Sequence, residues 1–132
     1  MPEKTVSEKL MMKPGRRVSL VNAPENAAAL LGSLPEGMQM LDPDAQADAL
    51  AQAEIILLFA HHRIDLETLL PGLRTALAPN GMIWVAYHKG TSPVKTDINR
   101  DSIWAYARTI GLDAVAQVSI NEDWSAMRLK RA

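Results

Sequence analysis

The stretch that decides the fold runs from Glu54 to His88 and reads EIILLFAHHRIDLETLLPGLRTALAPNGMIWVAYH. Its two ends, Glu54–Ala60 and Met82–Tyr87, are short apolar runs bounded by polar residues, a pattern typical of strands covered on both faces. Between them, leucines recur at helical spacing over Asp65–Ala78. A strand, a helix and a second strand in this order form a parallel pair with a right-handed crossover. The stretch therefore predicts an open α/β sheet.

The rest of the chain extends this alternation in both directions. Pro71 lies inside the central helix and predicts a kink or two short helices there. The final two strands are joined by only Asn121–Asp123, which is too short for a crossover, so they run antiparallel. The other predicted elements are helix Lys4–Met12, strand Arg17–Ala23, a helix from Pro24 to Gly32, strand Met38–Leu41, helix Asp44–Gln52, a helix from Asn99 or Asp101 to Gly111, strand Asp113–Ile120 and strand Trp124–Lys130.

Length and composition limit the classes of protein to consider. The chain has 132 residues and predicts one domain over 1–132, with 1–14 as an N-terminal arm or short helix. It has no cysteine, which excludes a thiolate nucleophile and Cys-ligated metal sites. The 14 basic and 15 acidic side chains do not create a global field for nucleic acid. The apolar runs are too short to span a bilayer, so we expect a soluble, cytoplasmic protein without membrane or nucleic-acid partners.

The order of elements, ending in a hairpin, resembles the class I methyltransferase fold, a Rossmann-like sheet whose last strand is inserted antiparallel beside the central parallel strands. The segment LLPGLRTALAPNGMIWVAYHK (69–89) resembles that family's helix, turn and following strand. The resemblance implies a mainly parallel sheet with helices on both faces and a C-terminal antiparallel hairpin. Because the chain is short, one strand and one helix of the full fold are expected to be missing between Leu41 and Glu54.

The chain also resembles, more closely, a small bacterial family known only as a domain of unknown function, whose members look like truncated S-adenosylmethionine methyltransferases. That family brings no reaction with it, so the resemblance implies the fold alone. The matching residues are Lys13-Pro14-Gly15, Asn22-Ala23-Pro24-Glu25, the loop Lys89–Asp97, Gly111-Leu112, Asp123-Trp124-Ser125 and Arg128-Leu129.

The turn after the first strand departs from the methyltransferase pattern. Those enzymes have a glycine-rich turn there, which lets the backbone pass close under the cofactor. This chain has Asn22-Ala23-Pro24-Glu25-Asn26 instead, and its first glycine after that strand is Gly32. Glu25 also puts a carboxylate where a phosphate or a cofactor carboxylate would sit. We therefore expect no S-adenosylmethionine or dinucleotide cofactor.

Three histidines are the candidate catalytic residues. Ligands of open α/β sheets bind beyond the carboxyl ends of the strands, near the point where the strand order reverses. His61 and His62 follow the central strand, and His88 follows the next one. A histidine there is suited to acid–base chemistry near neutral pH. Adjacent His61 and His62 point in different directions, and no HxH or HxxxH spacing occurs, so no metal site is predicted.

The candidate ligand-binding residues lie at the same edge. Asp42 has a second interpretation as the cap of the following helix. Trp124 stacks on a ligand or packs in the core, whereas Trp84 and Trp104 are assigned to the core. A long loop holds Thr91 and Ser92 and either receives an anion or is only solvated. The candidates are Asn22, Glu25, Asp42, Lys89, Lys95, Asp97 and Trp124.

Three function hypotheses follow from this arrangement. The leading one is a methyltransferase-like domain that binds a small anionic, partly planar molecule at the carboxyl edge. The second is a divergent methyltransferase-like enzyme that uses one of the histidines. The third is an interaction module that forms homo-oligomers and keeps the fold only as a scaffold. A fold does not decide among such functions.

Overall fold

The computed structural model describes residues 5–42, 48–90 and 96–131. Its strands form one six-stranded sheet in the order β2-β1-β3-β4-β6-β5. The strands are β1 (Arg17–Val21), β2 (Gln39–Leu41), β3 (Ile55–Phe59), β4 (Met82–His88), β5 (Leu112–Ser119) and β6 (Trp124–Arg131). The helices are α1 (Val6–Lys9), α2 (Ala27–Leu31), α3 (Ala49–Gln52), α4 (Arg63–Ala76) and α5 (Arg100–Thr109).

The sheet has the predicted mixture of strand directions. Strands β1 to β4 pair in parallel. Strand β6 lies between β4 and β5 and is antiparallel to both, with His88 opposite Trp124. The predicted Rossmann-like α/β fold with an inserted antiparallel last strand is therefore confirmed.

Strand β3 lies at the centre of the sheet and is covered on both faces. All five of its side chains are buried. Ile56 and Leu58 join the core under α4 and α5. Ile55, Leu57 and Phe59 alternate to the other face and pack with side chains of α2 and of the segment after α1. Each such side chain contributes roughly 1.5–3 kcal/mol to folding, so this strand anchors both cores.

Helix α4 is continuous through its proline. It runs for 14 residues with Pro71 inside it, so the alternative of two short helices is wrong. Proline removes the N–H that would bond to the carbonyl four residues earlier, which is that of Glu67. The hydroxyl of Tyr106 on α5 donates to this carbonyl at 3.4 Å. A neighbouring helix thus supplies a donor that the helix lacks.

The assignment of Trp104 to the core is wrong. Helix α5 buries Ile103 and Ala107, whereas Trp104 lies one position further round the helix and is 44% exposed. Its indole N–H donates to Asp113 Oδ1 at 3.4 Å, and the guanidinium of Arg108 lies 5.6 Å from its ring centroid. Trp84 is buried, as predicted.

The segment between the second and third strands is short. Strand β2 is followed, after residues outside the described ranges, by α3 and then β3. Part of the predicted helix Asp44–Gln52 lies in residues 43–47, outside the described residues, and its end is the observed Ala49–Gln52. Among the described residues no helix is long and apolar enough to cross a membrane.

Asn22 ends β1 two residues earlier than predicted. Its backbone has a φ of 58°, in the left-handed region, which strand residues do not adopt. Its side-chain amide donates to the carbonyl of Phe59 at 2.8 Å. Asparagine tolerates this backbone better than most residues, and the hydrogen bond ties the carboxyl ends of β1 and β3 together.

Two substitutions of Asn22 separate these contributions. Asn22→Gly keeps a backbone that accepts positive φ and loses the hydrogen bond, so we expect a loss of about 1 kcal/mol in the free energy of unfolding. Asn22→Ala also loses the bond but keeps a Cβ in the left-handed region, without the polar side chain that lets asparagine tolerate it, so this variant should be roughly 1–2 kcal/mol less stable than Asn22→Gly. Urea denaturation measures both values. Equal stability of the two variants would contradict this account of the turn.

Candidate functional site

Four side chains form one group at the carboxyl edge of the sheet, which we call the histidine cluster: His61, His88, Asp123 and Trp124. The Nδ1 atom of His88 lies 2.9 Å from Asp123 Oδ1. The Nε2 atom of His88 lies 3.3 Å from His61 Nδ1. The rings of His88 and Trp124 are 3.9 Å apart between centroids. Asp123, His88 and His61 therefore form a continuous chain of hydrogen bonds.

The sheet topology brings these residues together. His61 follows β3, and His88 is the last residue of the neighbouring β4. Because β6 runs antiparallel to β4, it begins with Trp124 opposite His88. The turn before β6 is held by Asn121 Oδ1, which accepts from the backbone N–H groups of Asp123 (2.8 Å) and Trp124 (2.7 Å). Three strands and one tight turn thus position the cluster.

The hydrogen-bond chain has a defined direction for neutral rings. A carboxylate only accepts, so His88 Nδ1–H donates to Asp123 and His88 Nε2 is left as an acceptor. His61 Nδ1–H then donates to that nitrogen, and His61 Nε2 keeps an unprotonated lone pair. Burial, followed by the charge on His88 when that ring is protonated, lowers the pKa of His61 below its ordinary value. The imidazole of His61 is therefore neutral at neutral pH and acts as an acceptor.

The Trp124 ring lies within the cluster and is closed in by protein. It is 3% exposed. Phe59 meets it edge to face at 5.4 Å, and His61 does so at 5.3 Å. His88, itself 5% exposed, lies across it at an interplanar angle of 34°. Of the two interpretations of Trp124, stacking on a ligand or packing in the core, these contacts favour packing in the core.

His62 and Asp97 lie beside the cluster and face a different way. The side chain of His62 is 57% exposed, and its Nδ1 lies 3.8 Å from Asp97 Oδ1. Asp97 Oδ1 also accepts from the backbone N–H of Arg63 at 2.6 Å. As expected from their adjacency, His61 and His62 point in different directions, and only His61 joins the hydrogen-bond chain.

The remaining candidates do not all come together. Asn22 is bonded to the end of β3, next to the cluster. Glu25 and Asp42 are exposed beyond β1 and β2, on the far side of the sheet from β6. The Lys89 ammonium donates to Ser119 Oγ at 2.6 Å. Lys95 lies outside the described residues, as do residues 91 and 92.

Asp123 is the member of the cluster that was not among the sequence candidates. A signal for it existed, because the predicted antiparallel last strand brings its first residues beside the end of β4. Of the residues at this position, only Trp124 is among the sequence candidates, although the preceding carboxylate is a natural partner for a buried histidine. Within the described ranges no group of three or more His, Asp or Glu side chains is arranged to hold a metal ion.

Several solved structures with a similar fold are methyltransferases. The complex of DhpI with SAH has a TM-score of 0.61 at 11% identity, over 96% of this chain and 82% of that one. A TehB-like SAM-dependent methyltransferase from Corynebacterium glutamicum has a TM-score of 0.60 at 11% identity, over 95% and 85%. The mitomycin 7-O-methyltransferase MmcR has a TM-score of 0.62 at 11% identity, over 89% of this chain but only 49% of its own. At these identities the likeness shows the fold, which is methyltransferase-like.

The sequence itself places the chain in a family. Residues 33–132 match the model described as "Protein of unknown function (DUF3052)", and the chain belongs to this family. No curated protein matches it.

Trp124 and Trp104 differ widely in burial, and comparing their substitutions tests the packing of the Trp124 ring directly. Trp124→Ala removes a ring in contact with Phe59 and two histidines, and we expect a loss of about 3–5 kcal/mol in the free energy of unfolding. Trp104→Ala removes a half-exposed ring and its contact with Arg108, a loss of about 1 kcal/mol. Chemical denaturation monitored by circular dichroism measures both. Similar losses of stability for the two variants would show that packing of the Trp124 ring does not stabilise the histidine cluster.

Proposed function

We propose that this protein binds a small molecule at the carboxyl edge of its sheet and that His61 is the residue that contacts it. The observation that carries this proposal is the position of His61. It is one end of a hydrogen-bond chain whose middle member, His88, is buried, and it is itself only half-buried. The chain therefore ends at a side chain that solvent can reach.

The place of His61 in the topology supports the proposal. Strand β1 leads outward to β2, whereas β3 leads the other way to β4. The strand order therefore reverses between β1 and β3, and ligands of open α/β sheets bind beyond the carboxyl ends at such a point. His61 follows β3 there, and Asn22 follows β1.

The backbone around His61 is held in place. Asp65 Oδ2 accepts from the N–H groups of His61 (3.0 Å) and His62 (3.1 Å). The hydroxyl of Thr96 donates to the carbonyl of His61. A binding group held by its surroundings loses little conformational entropy when a ligand arrives. The neutral Nε2 of His61 is suited to accept a hydrogen bond from a hydroxyl or N–H group of that ligand.

A second candidate function is an enzyme that uses His61 as a general base, and the carboxylate of Asp123 at the other end of the chain favours it. Asp123 fixes the tautomer of His88, and His88 fixes that of His61, so His61 Nε2 is left with an unprotonated lone pair. Proton abstraction by a positioned histidine contributes about 10²–10⁴-fold to a rate. Incubation of a bound molecule with the protein distinguishes the two candidates. A binding protein leaves the molecule unchanged, whereas an enzyme converts it to a product.

S-adenosylmethionine is not the ligand that this proposal favours, although the fold is methyltransferase-like. No glycine lies between β1 and α2, and the side chains of Ala23 and Glu25 are exposed in that turn. We expect S-adenosylmethionine to bind no tighter than about 1 mM, or about −4 kcal/mol. Isothermal titration calorimetry measures this affinity, and a micromolar Kd would show that the turn accepts the cofactor without glycines.

The proposal itself is tested by a ligand-observed NMR screen of small fragments against three forms of the protein. One set of the fragments that bind the wild-type protein should lose roughly tenfold in affinity for His61→Gln. They should keep their affinity for His62→Gln, the matched control, because that neighbouring histidine points away from the chain. If no fragment is weakened by His61→Gln, or if the weakened fragments lose as much affinity with His62→Gln, the proposal is contradicted.

A further inference from the structure

We propose a second binding site, on the opposite face of the sheet from the histidine cluster, for a small organic anion with a flat apolar body. The site is a cleft where β4 and β5 end and β6 begins, near the start of α5. Its volume is about 340 Å³, within the range of small-molecule sites. The lining residues that the argument uses are Tyr87, Lys89, Arg100, Asp101, Gln117 and Ser125.

The alternation of β4 separates this cleft from the histidine cluster. His88 and Trp124 pack with the side chains around Phe59, on the α1 and α2 side. Tyr87, the preceding residue, belongs to the core on the α4 and α5 side. Adjacent strand residues point to opposite faces, so the two sites share strand ends but no recognition side chain.

The charge of the cleft favours an anion. Lys89 and Arg100 contribute two positive charges, and Asp101 contributes one negative charge. The Lys89 ammonium is bonded to a neutral hydroxyl, that of Ser119, and Lys89 takes part in none of the ion pairs within residues 5–42, 48–90 and 96–131. Arg100 lies 3.6 Å from Asp101, but both side chains are mostly exposed, and such pairs are weak. Both cations are therefore available to a carboxylate or phosphate group.

The inner wall of the cleft is polar and ordered. Tyr87 is 4% exposed, and its hydroxyl accepts from Gln117 Nε2 at 2.7 Å. Ser125 lies opposite Tyr87 in the β4–β6 register. Burial is the main cause that raises the pKa of the Tyr87 phenol, so it stays protonated and can donate. The amino end of α5 is already capped by Asn99, which accepts from Ser102 N at 2.9 Å, so recognition rests on side chains.

An apolar groove adjoins the cleft and is suited to bind the flat apolar body of the proposed ligand. The groove shares Arg100, Asp101 and Gln117 with the cleft and continues along Trp104. Trp104 is exposed although it is a large aromatic ring on a helix that packs against the sheet. Its remaining lining residues are Ala114, Ala116 and Met127. A ligand with its anionic group between the two cations would place a flat apolar body in this groove.

The test uses phenyl phosphate, benzoate and inorganic phosphate as probes in two-dimensional NMR titrations. The reporters are the Gln117 side-chain amide and the Trp104 indole N–H. Phenyl phosphate and benzoate should shift both signals, whereas inorganic phosphate should shift only that of Gln117. The tighter of the two aromatic probes identifies phosphate or carboxylate as the preferred group, and either order supports the site.

Variants decide whether the shifts come from this cleft. Lys89→Gln and Arg100→Gln should each weaken the aromatic probes roughly tenfold. Lys130→Gln, the same charge change at the other end of β6, should leave their affinity unchanged, as should His61→Gln. Absence of shifts, or equal weakening by Lys130→Gln, would overturn the inference. Loss of the probes with His61→Gln but not with Lys89→Gln would place the anion at the histidine cluster and overturn it as well.

Discussion

The insertion of β6 between β4 and β5 is the constraint on which both candidate sites depend. Because β6 is antiparallel to β4, its first residues meet the last residues of β4, and the register pairs Trp124 with His88 and Ser125 with Tyr87. Trp124 and His88 belong to the histidine cluster, whereas Ser125 and Tyr87 line the cleft that we propose as the anion site. A shift of β6 by a single residue would exchange the faces of all its side chains and dismantle both sites together. The tight turn held by Asn121 therefore helps to position the residues of both candidate sites, and not only the hairpin.

The histidine cluster carries polar groups into a largely apolar environment, and its hydrogen bonds offset that cost. An unpaired buried polar group costs about 1–3 kcal/mol, so His88 depends on both of its partners. Asp123 satisfies one ring nitrogen and His61 the other. Aromatic packing against Trp124 fixes the plane of the ring. The buried ring of His88 is thus held by a partner on each side, and His61, one of these partners, lies at the point where the strand order reverses.

Local sequence patterns were sufficient to predict the fold. Much of the site depends on contacts between residues far apart in sequence, which such patterns do not reveal. The apolar runs of β3 and β4 and the short turn before β6 were enough to predict the sheet and the antiparallel last strand. Periodicity did not reveal that a hydroxyl from α5 would support α4 at its proline, because that contact joins residues far apart in sequence. It also assigned Trp104 to the core, since a position next to the buried face of a helix cannot be separated from that face by spacing alone. The link from His88 to Asp123 needed the exact strand register, which the prediction of strand order leaves open.

The state of the two rings in the hydrogen-bond chain is the most direct test of this account, and long-range ¹H–¹⁵N NMR of the histidine side chains measures it. At a pH where both rings are neutral, His88 and His61 should each show a protonated Nδ1 and an unprotonated Nε2, while His62 should show the averaged signals of an exposed ring. Asp123→Asn should change the His88 signals and, through them, those of His61. A protonated Nε2 on His88, or His61 signals that resemble those of His62, would contradict the chain and the function proposed from it.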